Sequence, residues 1–221
     1  MENAPAPACR LYLITPPSLP DLDEFADAFS AALRAGDIAC VQLRLKAPDG
    51  GPPHADDVRA AAARLAPLAQ DAGAAFLIND DPQLAKETSA DGVHIGQSDA
   101  RLVDARAMLG PDASIGVTCH NSLDLAFEAG EAGADYVAFG AFFETATKEA
   151  PTRADPDILT RWREMTVLPS VAIGGVTPEN GAALVRAGAD FLAVSAAVWR
   201  NPLGPAKAIK AFETMIADAV G

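Results

Sequence analysis

A closed barrel of eight β/α units, an α/β (β/α)8 barrel, is the fold this sequence predicts. Three observations lead to it. Short apolar runs of strand length alternate with longer Ala-rich helical segments along all 221 residues. The phrase "AGAD" recurs at 132–135 and 187–190, with looser versions in "DAGAA" (71–75) and "SADG" (89–92), where a glycine suits the left-handed end of a helix and the next residues lead into a strand. Half of the residues are hydrophobic, enough for a substantial core. Eight repeated units favour a closed parallel barrel over the alternative, a doubly wound open sheet, which usually needs fewer. One barrel domain spanning 1–221 is expected, with no linker; "APDGGPP" (47–53) reads as a loop within the second unit.

The elements follow in order. Strands are expected at "RLYLIT" (10–15), "ACVQLRL" (39–45), "AAFLIN" (74–79), "GVHIG" (92–96), "SIGVTCH" (114–120), "YVAFGAF" (136–142), "PSVAIGG" (169–175) and "FLAVSAA" (191–197). Helices fit between them at 22–35, 55–72, from Pro82, 100–109, 122–132, 178–187 and 205–219. Pro67 lies inside the second helix and predicts a kink or an early end there.

Net charge is −13 and the sequence pI near 4.5, which argues against broad nucleic-acid or anionic-membrane binding. A few focused cations still suffice for one anion pocket. Three scattered cysteines, Cys9, Cys40 and Cys119, fit reduced intracellular thiols better than a disulfide framework. No run approaches the ~20 apolar residues of a membrane span. A cytoplasmic protein acting on small molecules is expected, of unspecified oligomeric state.

Chemistry in such barrels gathers at the C-terminal ends of strands. Gln42, Arg44 and Lys46 in "VQLRLK" are spaced two apart and share one strand face. A barrel strand has no edge, so that face points into the barrel or its mouth, where two cations and an amide require an anionic ligand or buried carboxylates. The third strand runs straight into Asn79, Asp80 and Asp81, and Asp99 lies just past the fourth. Asp81 and Asp99 are natural caps for the helices beginning at Pro82 and 100. Carboxylates on neighbouring strand ends also suit Mg2+ shared with substrate phosphates, since magnesium takes few protein ligands and fills the rest from water and phosphate. After the sixth strand, Thr145, Thr147 and Lys148 form a hydroxyl-and-cation loop able to grip phosphate oxygens. "AIGGVTPEN" gives a glycine pair, then Thr177 as N-cap and Pro178 at the first helical position. Ser195 closes the eighth strand, and the loops after strands seven and eight frequently bind phosphate through backbone N–H groups. His94 reads as a hydrogen-bonded core residue, His54 as a surface residue, and Trp162 and Trp199 as packing residues.

Taken together and in order, "VQLRLK", "LINDD", "DGVHIGQSD", "IGVTCHNS", "ADYVAFGAFFETATKE", "VAIGGVTPEN" and "AGADFLAVS" resemble thiamine-phosphate synthase over roughly residues 11 to 213. The resemblance implies a (β/α)8 transferase that joins hydroxymethylpyrimidine diphosphate to a thiazole phosphate, releasing pyrophosphate. It implies that Arg44, Lys46, Asn79 and Lys148 bind the pyrimidine diphosphate with Gln42 nearby, and that Asp80 and Asp99 hold Mg2+. Thr118 takes the place of a serine beside the pyrophosphate. Thr145 and Thr147 match the thiazole-phosphate loop; Gly175, Val194 and Ser195 match a backbone phosphate cradle. Two further departures are Leu45 in place of an acidic residue and Glu144 where proline is common. The sister thiazole tautomerases use a histidine at the end of strand five, where His120 stands, but need no metal-bound diphosphate. A non-catalytic ligand-binding paralogue would be expected to lack metal or leaving-group residues, and none is missing here.

Overall fold

A computed structural model describes residues 9–144 and 153–221. Eight parallel strands close in sequence order, so that the first pairs with both the second and the last. The strands are β1 (Arg10–Ile14), β2 (Ile38–Leu43), β3 (Ala75–Asn79), β4 (Gly92–Ile95), β5 (Ser114–His120), β6 (Tyr136–Phe139), β7 (Ser170–Ile173) and β8 (Phe191–Val194). Among the described residues the helices are α1 (Leu22–Leu33), α2 (Ala55–Asp71), α3 (Pro82–Glu87), α4 (Leu102–Leu109), α5 (Leu123–Glu131), α6 (Asp157–Met165), α7 (Ala182–Ala187), α8 (Ala196–Trp199) and α9 (Pro205–Val220). None of them is long and apolar enough to cross a membrane.

Alternation along the strands sorts side chains into two cores. Leu11, Leu13, Val41, Leu43, Phe76 and Ile78, among others, pack outward against the helices. Tyr12, Ile14, Cys40, Leu77, Tyr136, Ala138, Val171 and Ala193 fill the barrel interior. Gly116 belongs to this inner packing, since a Cβ there would collide with the Tyr136 ring.

The recurring Asp at the helix-to-strand junctions has a structural role that composition did not reveal. Asp91, Asp135 and Asp190 each immediately precede an even-numbered strand, and each accepts from a backbone N–H at the start of the strand before it. The donors are Phe76, Ile115 and Ser170, all at 2.7 Å. Asp37, at the same place before β2, instead takes both arms of the Arg10 guanidinium at 2.7 and 2.6 Å. Four odd–even strand pairs are thereby tied at the N-terminal end of the barrel, the end associated with stability.

Several expected boundaries are corrected. β2 stops at Leu43, β6 at Phe139 and β7 at Ile173. Gly174 and Gly175 turn the chain out of β7 with φ of 103° and 64°. β8 ends at Val194, and 196–197 begin helix α8 instead of prolonging the strand. α7 starts at Ala182, one turn after Pro178. Thr177 is not its cap: the Thr177 carbonyl instead accepts from Asn180 and Gly181 to close a preceding turn. α2 runs through Pro67 to Asp71 because Val58, Ala61, Ala62, Leu65, Ala66 and Ala69 bury one continuous face on both sides of the proline. Trp162 and Trp199 pack as expected, their indole N–H groups bonded to the carbonyls of Leu168 and Ile14.

Candidate active site

The strand ends of β2 to β5 gather the polar residues singled out in the sequence. Gln42 is the last inward-facing residue of β2 and is 3 % exposed. Arg44 and Lys46 lie past the strand end, yet the alternation holds, with Leu45 buried in the outer core between them. Two contacts carry the chain across this stretch: the Arg44 N–H donates to Thr15 Oγ1 (2.9 Å) and the Lys46 N–H to the Pro17 carbonyl (2.9 Å). The loop after β1 thus holds the two cations in place.

Asn79 ends β3 beside His94 of β4. Asp80 then adopts φ 66°, a left-handed conformation that Asp tolerates better than most residues, and its N–H donates to the His94 carbonyl at 2.8 Å. Its carboxylate accepts from Lys46 Nζ at 2.9 Å. Asp81 caps α3, accepting from the Leu84 N–H at 3.0 Å, with Pro82 at the first helical position. Asp99 does not cap α4, whose N-cap position is Arg101. It folds back and accepts from the Gly96 N–H at 2.6 Å, which brings its carboxyl to Asp80.

The electrostatics separate these two acids. Burial pushes Asp80 upward, but Lys46 bonded to it and Arg44 nearby outweigh that and hold it below the usual carboxylate range. Burial and the negative Asp80 raise Asp99 despite its bond from Gly96. Burial lowers Arg44, partly offset by Asp80, although a guanidinium stays charged. Two carboxyls brought together in this way could hold a small hard cation. No group of three or more His, Cys, Asp or Glu side chains suited to a metal occurs among the described residues. Two carboxylates are few protein ligands, the number that Mg2+ takes when water and phosphate oxygens complete its shell.

Beneath these groups runs a buried polar chain. Gln42 Nε2 donates to Tyr12 Oη (3.2 Å), the two tyrosine hydroxyls meet at 2.9 Å, Tyr136 Oη lies 3.0 Å from His94 Nδ1, and His94 Nε2 lies 2.8 Å from Thr118 Oγ1. Burial lowers His94 to about 4, against a small opposing effect of Asp80, so its ring is neutral. Tyr12 and Tyr136 were missed as site-floor residues. Their signal was a polar aromatic at an inward strand position. Gln97, also missed, donates to the Thr118 carbonyl at 2.6 Å. His54 lies on the surface as expected, where it is the N-cap of α2.

Across the barrel mouth, Gly175, Val194 and Ser195 follow β7 and end β8. Val194 points into the outer core, so only its backbone faces the mouth. The Gly175 carbonyl accepts from Asn180 Nδ2 at 3.0 Å, and a Cβ on Gly175 would strike the Glu144 carbonyl. The glycine is therefore required by the neighbouring chain after β6, whatever ligand lies beyond. Thr145, Thr147 and Lys148 lie outside the described residues. A cavity of about 380 Å³ opens beside Asn79 and Asp80, lined by Leu43, Leu45, Pro52, Pro53 and Leu84 among others, and so lies under the loop 47–53.

The chain matches the family model for thiamine monophosphate synthase over residues 11–198. It is 56 % identical over 209 residues to a thiamine-phosphate synthase of Rhodospirillum centenum, covering 94 % of this chain and 98 % of that one. Identity to the thiamine-phosphate synthase of Hyphomonas neptunium is 50 % over 214 residues, or 96 % and 95 % of the two chains. A solved structure of thiamine phosphate pyrophosphorylase from Pyrococcus furiosus superposes with a TM-score of 0.80 at 26 % identity, covering 96 % of this chain and 97 % of that one.

Proposed function

The chain belongs to the thiamine monophosphate synthase family, and we propose on that footing that it is a transferase forming thiamine phosphate from hydroxymethylpyrimidine diphosphate and a thiazole phosphate, with release of pyrophosphate. The observation that carries the reading is the convergence of Arg44, Lys46, Asp80 and Asp99 at adjoining strand ends. Cations and carboxylates packed together form a site for a diphosphate and its metal. A thiazole tautomerase has no use for such a group.

Asp80 and Asp99 would hold Mg2+, which when bound neutralises charge on the departing pyrophosphate. Arg44, preset by Thr15, presents a guanidinium fork to phosphate oxygens. Lys46, held at 2.9 Å from Asp80, would supply its ammonium to a phosphate oxygen of the diphosphate. Gln42 lines the interior beside the pyrimidine, and Asn79 and Thr118 are assigned to its diphosphate. As the carbon–oxygen bond to pyrophosphate breaks, positive charge develops on the pyrimidine methylene. The thiazole nitrogen attacks that carbon, so no protein nucleophile is needed. Gly175, Val194 and Ser195 are assigned through their backbone to the thiazole phosphate, together with Thr145 and Thr147, and Lys148 to the diphosphate. A single-domain cytoplasmic enzyme suits three free, buried cysteines.

The test is direct: the purified protein, the two substrates and Mg2+ are combined, and thiamine phosphate and pyrophosphate are quantified. Equal amounts of both products support the reading. Isomerisation of the thiazole phosphate without coupling would replace it with a tautomerase acting through His120.

A further inference from the structure

The hydrogen-bonded chain under the site has two self-consistent polarities. In one, every donor points from Gln42 toward Thr118. In the other, Thr118 donates to His94, His94 Nδ1–H to Tyr136, and Tyr136 to Tyr12. With the Gln42 amide presenting Nε2 to Tyr12, the second polarity leaves Tyr12 Oη accepting from both Tyr136 and Gln42, with its own proton left for Cys40 beside it. A thiol sulfur is a weak acceptor, and a buried hydroxyl left with so poor a partner is costly. In the first polarity every member donates to an oxygen or an imidazole nitrogen. Tyr12 accepts from Gln42 and donates to Tyr136, Tyr136 donates to His94 Nδ1, and the neutral ring donates from Nε2 to Thr118.

We propose that Gln42, Tyr12 and Tyr136 form a one-way hydrogen-bond relay that holds His94 as its Nε2–H tautomer, so that Thr118 accepts from His94 and keeps its own hydroxyl proton for a substrate phosphate oxygen. The last step rests on the proposed function; the polarity does not. Gln42, Tyr12, Tyr136 and His94 then act on the phosphate as positioning residues. Their distances of 3.2, 2.9, 3.0 and 2.8 Å form an unbroken path. Gln97 adds to the effect by bonding the Thr118 carbonyl, which fixes the backbone from which the hydroxyl projects. His94 also stacks on Tyr136, with ring centroids 5.6 Å apart, and turning the imidazole over would break both of its hydrogen bonds.

The test is histidine-selective 15N labelling of the full chain without substrate. The three histidines are distinguished with His94→Gln as the assignment control. The expected spectrum shows His94 protonated on Nε2 only; protonation on Nδ1 overturns the relay. Gln42→Glu, recorded at pH 8, replaces the amide donor with a carboxylate acceptor and should move the proton to Nδ1, three hydrogen bonds from the substituted residue. A folded variant with an unchanged ring overturns the linkage, and the wild-type spectrum decides the polarity even if this variant does not fold. For the last step, Thr118→Val should lower turnover roughly 10- to 100-fold with KM for the thiazole phosphate unchanged, and Thr118→Ser should restore it. Equal turnover in Val and Ser variants refutes the donation to phosphate. If the wild type makes no thiamine phosphate, the functional reading fails while the tautomer result stands.

Discussion

Lys46 Nζ donates to Asp80 Oδ2 over 2.9 Å, joining the ends of β2 and β3 through two residues that each lie outside a strand. The lysine is mostly covered, at 21 % exposure, while the aspartate is only partly so, at 37 %, and solvent screens the pair in part. It also bears on Asp99, which burial raises first and the neighbouring negative Asp80 raises further.

Lys46→Met should therefore weaken binding of the pyrimidine diphosphate and raise the proton affinity of Asp80. Losing one charged partner costs roughly 1.5–3 kcal/mol, about 10- to 150-fold in affinity. Isothermal titration with the diphosphate and Mg2+ checks it; wild-type affinity would show that the lysine serves only as a structural partner.

Asp80, Asp81 and Asp99 should behave differently. Mg2+ at 100 times its dissociation constant should stabilise the wild type by about 2.7 kcal/mol, several degrees in melting temperature. Asp80→Asn and Asp99→Asn should lose most of that shift and need more Mg2+ for pyrophosphate release. Asp81→Asn should keep both, since asparagine caps a helix about as well as aspartate. Identical magnesium titrations for all three variants would remove the metal assignment.

The pH dependence of Asp99 has a definite sign. Its folded value is raised, so the stability it contributes is full below the unfolded value near 3.8 and is lost as pH rises through the folded one. Asp99→Asn should then gain on the wild type as pH rises from 4 to 7 in metal-free buffer. Urea melts at the two pH values measure the gap, and a gap that narrows contradicts the assigned direction.

Gly175→Ala should be destabilised by about 1–2 kcal/mol from the left-handed backbone alone, with more from collision with the Glu144 carbonyl. Both substrates should bind less well, because the loop after β6 must move. An unaltered melting temperature would show that the loop gives way freely.

Asp190→Ala should cost about 1–3 kcal/mol by leaving the Ser170 N–H without its acceptor, while turnover of the folded fraction stays at the wild-type level. The residue stands at the end of the barrel remote from the strand C-termini. Reduced turnover at full folding would mean that the N-terminal clamps also tune the site.

The sequence alone specifies the barrel. Period-two burial in strands and repeated helix-ending glycines are local signals, and eight of them in succession leave little choice of closure. It also determined that Gln42, Arg44, Lys46, Asn79, Asp80 and Asp99 stand at strand ends, because that follows from where each apolar run stops. Only the tertiary structure decided what those residues touch. Asp81 caps as its neighbour Pro82 suggested, but Asp99 turns away from α4 to Gly96 and Asp80, a choice set by a loop conformation and a charge on another strand. Gly175 is required by the carbonyl of Glu144, thirty-one positions away in the chain. Tyr12, Tyr136 and His94 are far apart in sequence and share a hydrogen-bonded path only because strand register brings their inward faces to one level. Hydrophobic patterning acts along the chain and is legible there; hydrogen bonds, ion pairs and steric clearance act across space and depend on which strands become neighbours.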